Sequence, residues 1–137
     1  MREFEYTHKA QYYETDQMGV VHHSNYIRWM EEARVDLLNK EGYGYKHFEE
    51  TGYISPVLSV QCEYKDTVNF DDTVKIIAYV KEYNGLKFSI GYNMYKADSN
   101  KPCTIGSSTH CFLDSNGRPV MIKKTLPDFD QWLRDCL

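Results

Sequence analysis

The chain has no long apolar run, so no helix is expected to cross a membrane. Its first residues, Met1-Arg2-Glu3-Phe4-Glu5, lack the apolar stretch of a secretory signal, and a cytoplasmic location is expected. Repeats, low-complexity stretches and linkers are absent. The four cysteines, Cys62, Cys103, Cys111 and Cys136, form no C-x-x-C and precede no His pair. Free thiols in a reducing compartment are expected, and no metal site is. A basic excess is lacking too: 16 Lys and Arg face 20 Asp and Glu, a formal net charge of −4. That excludes the broad basic field of a nucleic-acid binder. It leaves room for a small basic patch that grips a phosphorylated small molecule.

What is present suits one globular domain over residues 1–137. Hydrophobic residues make up 42%, charged residues 26% and aromatics 15%, the last mostly through 12 Tyr. A chain of this length can bury a core without metal or disulfide staples.

The pattern along the chain predicts one strand, one long helix and then a meander. Residues 4–14, rich in Tyr, Phe and Thr, read as a strand. Asp16 to Gly19 reads as a turn. Ser24 suits an N-cap, and Tyr26, Met30, Ala33 and Leu37 make the apolar stripe of a helix that stops at Gly42. A short helix is expected over 45–51, ending at Gly52. Strands follow over 54–65, 73–83, 86–96 and 103–113, with a hairpin at Asn84-Gly85 and a last short strand over 119–124. A short helix near Pro127 carries Phe129, Trp132 and Leu133. A long apolar helix must cover a sheet face, which makes an α+β domain with a helix against a curved antiparallel sheet. The far sheet face carries Tyr, Thr, Ser and Asn, which suits water or a second subunit.

One segment has the parts for chemistry. From Asp16 to Tyr26 it offers a carboxylate on a tight turn, two His and a helix N-terminus. Unpaired N–H groups at a helix start can hold an anion or a polarised carbonyl oxygen. A nearby carboxylate can attack that carbonyl or deprotonate a water that does. Acyl transfer needs both parts. The same residues also suit a plain type I turn and a capped helix, so spacing alone leaves both readings open.

The run Tyr13-x-x-Asp16-x-x-Gly19-Val20-Val21-x-His23-x-Asn25-Tyr26-x-Arg28-Trp29-x-Glu31-x-Ala33-Arg34 resembles the signature of hotdog-fold acyl-CoA thioesterases, in the 4-hydroxybenzoyl-CoA thioesterase-like branch. The likeness is dense over residues 12–38, and the element order extends it to about residue 125. It implies a hotdog fold, a long helix wrapped by a curved antiparallel sheet of about five strands. It also implies Asp16 as nucleophile or general base, and the backbone N–H of His23 as donor to the thioester carbonyl. Asn25 and Tyr26 match motif positions that shape the turn and contribute to substrate binding. His22 and His23 stand where relatives often have Tyr. The resemblance implies hydrolysis of an acyl-CoA with no metal or redox cofactor. It further implies a homodimer or homotetramer with active sites at the subunit interface.

Coenzyme A carries phosphates, so Lys or Arg at strand ends are candidate contacts. Lys87, Arg118, Lys123 and Lys124 are the candidates. Ser55 and Pro56 match the place where relatives bring a strand across the acyl pocket. His47 reads as a surface residue, His110 as a satisfied sheet residue, and Glu31 and Glu32 as structural or solvent-facing. The alternatives are an acyl-carrier-protein thioesterase, a hydratase or dehydratase of acyl thioesters, and a non-catalytic acyl-thioester binding module.

Overall fold

A computed structural model describes all of residues 1–137. The strands are β1 (Glu3–Lys9), β2 (Val57–Tyr64), β3 (Thr73–Tyr83), β4 (Phe88–Lys96) and β5 (Thr104–His110). The helices are α1 (Ser24–Lys40), α2 (Tyr45–Thr51), α3 (Ile122–Thr125) and α4 (Pro127–Cys136). The strands form one sheet in the order β1-β3-β4-β5-β2, and every neighbouring pair is antiparallel.

Alternation builds the core. In β3, Val74, Ile76, Ala78 and Val80 point inward and are buried. From α1 they meet Tyr26, Trp29, Met30, Ala33 and Leu37, all buried and one helical face. Gly106 lets the helix lie close on β5, since a Cβ there would stand 2.9 Å from Met30 Sδ. Burying each such aliphatic side chain contributes about 1.5–3 kcal/mol. α4 closes one end with Phe129, Trp132 and Leu133, as the sequence predicts. Gly42 and Gly52 end α1 and α2 at positive φ, 86° and 81°. At the hairpin, Asn84 Oδ1 accepts the N–H groups of Leu86 and Lys87. All four cysteines are free thiols.

Three expectations need correction. The first strand ends at Lys9 rather than continuing to residue 14. Ala10 is buried, and Tyr12–Glu14 wind into a 3-10 turn in which the Glu14 carboxylate takes the Gln11 N–H at 2.8 Å. Ser24 does not cap α1 but is its first residue. His23 occupies the cap in helical conformation with no side-chain cap bond, while Ser24 Oγ bonds His22 Nδ1 at 2.9 Å. The strand over 119–124 is a single bridge from Pro119 to Leu113, followed by α3. The Ile122 N–H donates to Gly85 O and buries Ile122, which coils the segment. Other strands are trimmed at their ends, with Ile54 bridging Leu113 outside β2.

Candidate active site

The Asp16 turn is tightly built. The Gly19 N–H returns to Asp16 O at 3.0 Å, with Gly19 at φ 77°. Asp16 Oδ1 accepts the Met18 N–H at 2.8 Å. Oδ2 accepts no protein hydrogen bond, and the residue is half-buried. A bridge between Thr15 and Val21 and a second between Val20 and Asn69 hold the loop to the body.

The same bridges bring the start of α1 beside that turn. The His22 N–H donates to Glu14 O at 2.8 Å, and Asn25 Nδ2 donates to the same carbonyl at 2.9 Å. The next backbone donor, the His23 N–H, has no acceptor within the chain. It lies at the positive end of a helix of 17 residues. His22 and His23 are exposed and stack with ring centroids 4.1 Å apart. Tyr64, at the end of β2, donates its hydroxyl to His23 O at 3.2 Å. A free carboxylate oxygen and a free backbone donor therefore share one exposed corner.

Asn25 and Tyr26 are buried, so they shape the corner from beneath. Tyr26 packs between Trp29 and Tyr64 at 5.0 and 5.1 Å, and burial pushes its phenol well above the usual range.

Glu14 is a site residue that sequence reading missed. It is 5% exposed yet carries a carboxylate. Burial pushes its pKa up, but the Gln11 N–H and the bonds from His8 and Trp29 outweigh this and hold it below the usual range. Its partners are His8 Nε2 at 2.9 Å and Trp29 Nε1 at 2.7 Å. His8 Nδ1 continues to Glu32, which also accepts the Tyr6 hydroxyl. The network pins β1, the 3-10 turn and α1 together under the Asp16 loop. Glu14 lies within the quoted motif, but only the buried Trp29 indole and the 3-10 turn give it meaning.

Ser55 and Pro56 line a different feature. With Val57, Arg34, Phe88 and His110 they border a cavity of about 580 Å³ between α1, α2 and the start of β2. Ser55 Oγ donates to Cys111 O. The cavity does not adjoin Asp16 in the same chain. Val57 and Tyr64 stand at opposite ends of β2, seven residues or about 23 Å apart. His23 and Arg34 are separated by about 17 Å along α1.

Lys87 borders a smaller cleft with Asn84, Ser89 and Thr109. Lys123 and Lys124 lie on α3, which the Ile122–Gly85 bond joins to the same hairpin. Arg118 is exposed on the Asp114–Arg118 turn. None of the four forms an ion pair. This end of β4 and β5 is the cavity end.

Comparison with known proteins fits this layout. Residues 11–137 match the Thioesterase-like superfamily. The chain belongs to that superfamily. It is 33% identical to a Bacillus subtilis protein named "Putative acyl-CoA thioesterase YneP" over 121 residues, 88% of each chain. It also superposes on the crystal structure of a DHNA-CoA thioesterase from Staphylococcus aureus with a TM-score of 0.91 at 29% identity, covering 98% of this chain and 91% of that one. A 1,4-dihydroxy-2-naphthoyl-CoA thioesterase from Synechocystis gives 0.87 at 15% identity, covering 98% and 97%, which speaks for the fold alone. The expected hotdog fold, with its five-stranded antiparallel sheet, and the expected thioesterase class are borne out. No helix of this superfamily member is long and apolar enough to cross a membrane.

Proposed function

We propose that the chain hydrolyses acyl-CoA thioesters at a site completed by a second copy of itself. The observation that carries this is the corner where Asp16 Oδ2 and the His23 N–H are both unpaired. The thioester oxygen accepts from the His23 N–H as negative charge develops on it. Asp16 attacks the carbonyl carbon or takes a proton from the water that does. The C–S bond breaks and the coenzyme A sulfur leaves as thiolate or takes up the proton; the acyl carbon gains the water oxygen directly, or Asp16 holds the acyl group as an anhydride that water then cleaves to free the acid and the carboxylate.

The sheet edges support the second copy. β1 is guarded by exposed Glu3, Glu5 and Lys9. β2 is an open edge with exposed Val57, Leu58, Val60 and Tyr64, which invites pairing. A two-fold axis across β2 sets the strands antiparallel and swaps their ends. The partner's cavity end then meets this chain's Tyr64 and His23. The acyl group enters the partner's cavity, and Lys87, Arg118, Lys123 and Lys124 of the second copy lie on that side for the phosphates. His22 and His23 flank the thioester.

Thiol release from a panel of short, long and aromatic acyl-CoAs tests the reading. Turnover is expected on at least one. A panel with no turnover above background would overturn it.

A further inference from the structure

The cavity holds a cation that thioester cleavage does not use. Arg34 is half-buried in its wall, among apolar groups that include Val35, Leu38, Phe48 and Phe112. It forms no ion pair with any carboxylate. Glu31 and Glu49 stand at the cavity's border but are exposed to water. One edge of the guanidinium is fixed. Nη1 donates to the Tyr92 hydroxyl at 3.0 Å and makes a long contact to Ser108 Oγ at 3.5 Å. Arginine can only donate. The Tyr92 hydroxyl and Ser108 Oγ are bonded at 2.8 Å, and Ser108 Oγ and His110 Nε2 at 2.7 Å. Tyr92, Ser108 and His110 are buried, so this chain of bonds is rigid. Burial and the Arg34 charge push His110 down to about 3, which keeps the ring neutral.

The other edge of Arg34 is free. Nε and Nη2 donate to no protein group. These two N–H groups lie side by side and match the two oxygens of a carboxylate. Both stay open to water at the cavity wall, where a ligand carboxylate can take the place of that water. We propose that the cavity takes an acyl group ending in a carboxylate, held bidentately by Nε and Nη2 of Arg34. This rests on the reading of the cavity as the acyl pocket of a thioesterase. A volume of about 580 Å³ has room for such a chain. Arg34 is thus a specificity residue, distant from the bond that breaks.

The test compares adipoyl-CoA with hexanoyl-CoA, which differ by a terminal carboxylate in place of a methyl group. Benzoyl-CoA and 4-hydroxybenzoyl-CoA make a phenolic arm. Wild-type kcat/KM is expected to favour adipoyl-CoA by roughly tenfold or more. Arg34→Met is expected to remove that preference, lowering kcat/KM on adipoyl-CoA by at least that factor more than on hexanoyl-CoA; Arg34→Lys keeps part of it. Thermal melting confirms that the variants fold, and the wild-type ratio decides alone if they do not. Equal rates on the wild-type pair, a larger gain from the phenol, or an equal loss on both substrates in Arg34→Met would overturn the proposal. Turnover without carboxylate preference sinks only this proposal. No turnover on any acyl-CoA sinks the thioesterase reading as well.

Discussion

Asp16 has one oxygen tied to the Met18 N–H and one free, so it is held in place with an oxygen left to react. Asp16→Asn keeps the Oδ1 acceptor and removes the base, and kcat is expected to fall about a hundredfold or more. Steady-state kinetics on the preferred acyl-CoA reads this. A fall in KM alone would contradict it. Glu14 acts from beneath. Glu14→Gln sets its amide NH2 either against the Trp29 indole or against the Gln11 N–H, and a loss of about 1–3 kcal/mol is expected in urea unfolding. The sign with pH follows from its lowered pKa. Its contribution is complete above the ordinary carboxylate range and is lost as the pH falls through the folded value. His110 works over a higher window. Unfolded, it protonates near 6.5; folded, at about 3. The unfolded chain therefore binds more protons between these values. Stability falls with pH below 6.5, at a slope approaching about 1.4 kcal/mol per unit. His110→Gln is expected to flatten that slope between neutral pH and mild acid, read from urea midpoints. Asp16 was legible because the turn, the two His and the helix start are contiguous. Glu14 and Arg34 were not, because their partners come from β1, β4 and β5, far away in sequence.

At the scale of elements, the long helix and the Asn84-Gly85 hairpin were legible from periodicity and turn chemistry alone. Tyr26, Met30, Ala33 and Leu37 are buried as spaced. Periodicity failed where tertiary contacts decide. Residues 119–124 look like a strand, but the Ile122 N–H finds Gly85 O instead of a ladder partner. Residues 10–14 look extended, but the buried Glu14 carboxylate coils them. The open edge of β2 carries the prediction that belongs here. Val60→Lys puts a charge on that edge and is expected to shift the protein to monomer in light scattering. kcat/KM is expected to fall at least roughly tenfold with it, because the cavity and Asp16 part company. A monomer that keeps full activity would contradict the shared site.

The whole molecule separates its two functional features by about 17 Å along α1. Asp16 and His23 lie at one end, and the cavity with Arg34 lies further along. In the proposed dimer, a second copy across β2 brings a cavity to each Asp16. The net charge of −4 does not oppose a nucleotide ligand, since Lys87, Lys123 and Lys124, none of them ion-paired, lie about the hairpin at the cavity end. The most direct measurement mixes two inactive variants. Asp16→Asn keeps the cavity, and Val35→Trp fills the cavity but keeps Asp16. Each homodimer is expected to be nearly inactive. Refolded together in equal amounts, half of the dimers are mixed, and each mixed dimer has one intact site. The account predicts recovery to roughly a quarter of wild-type activity, as two-fold symmetry requires. No recovery, with mixed dimers confirmed by mass spectrometry, would place the whole site within one chain and contradict the account.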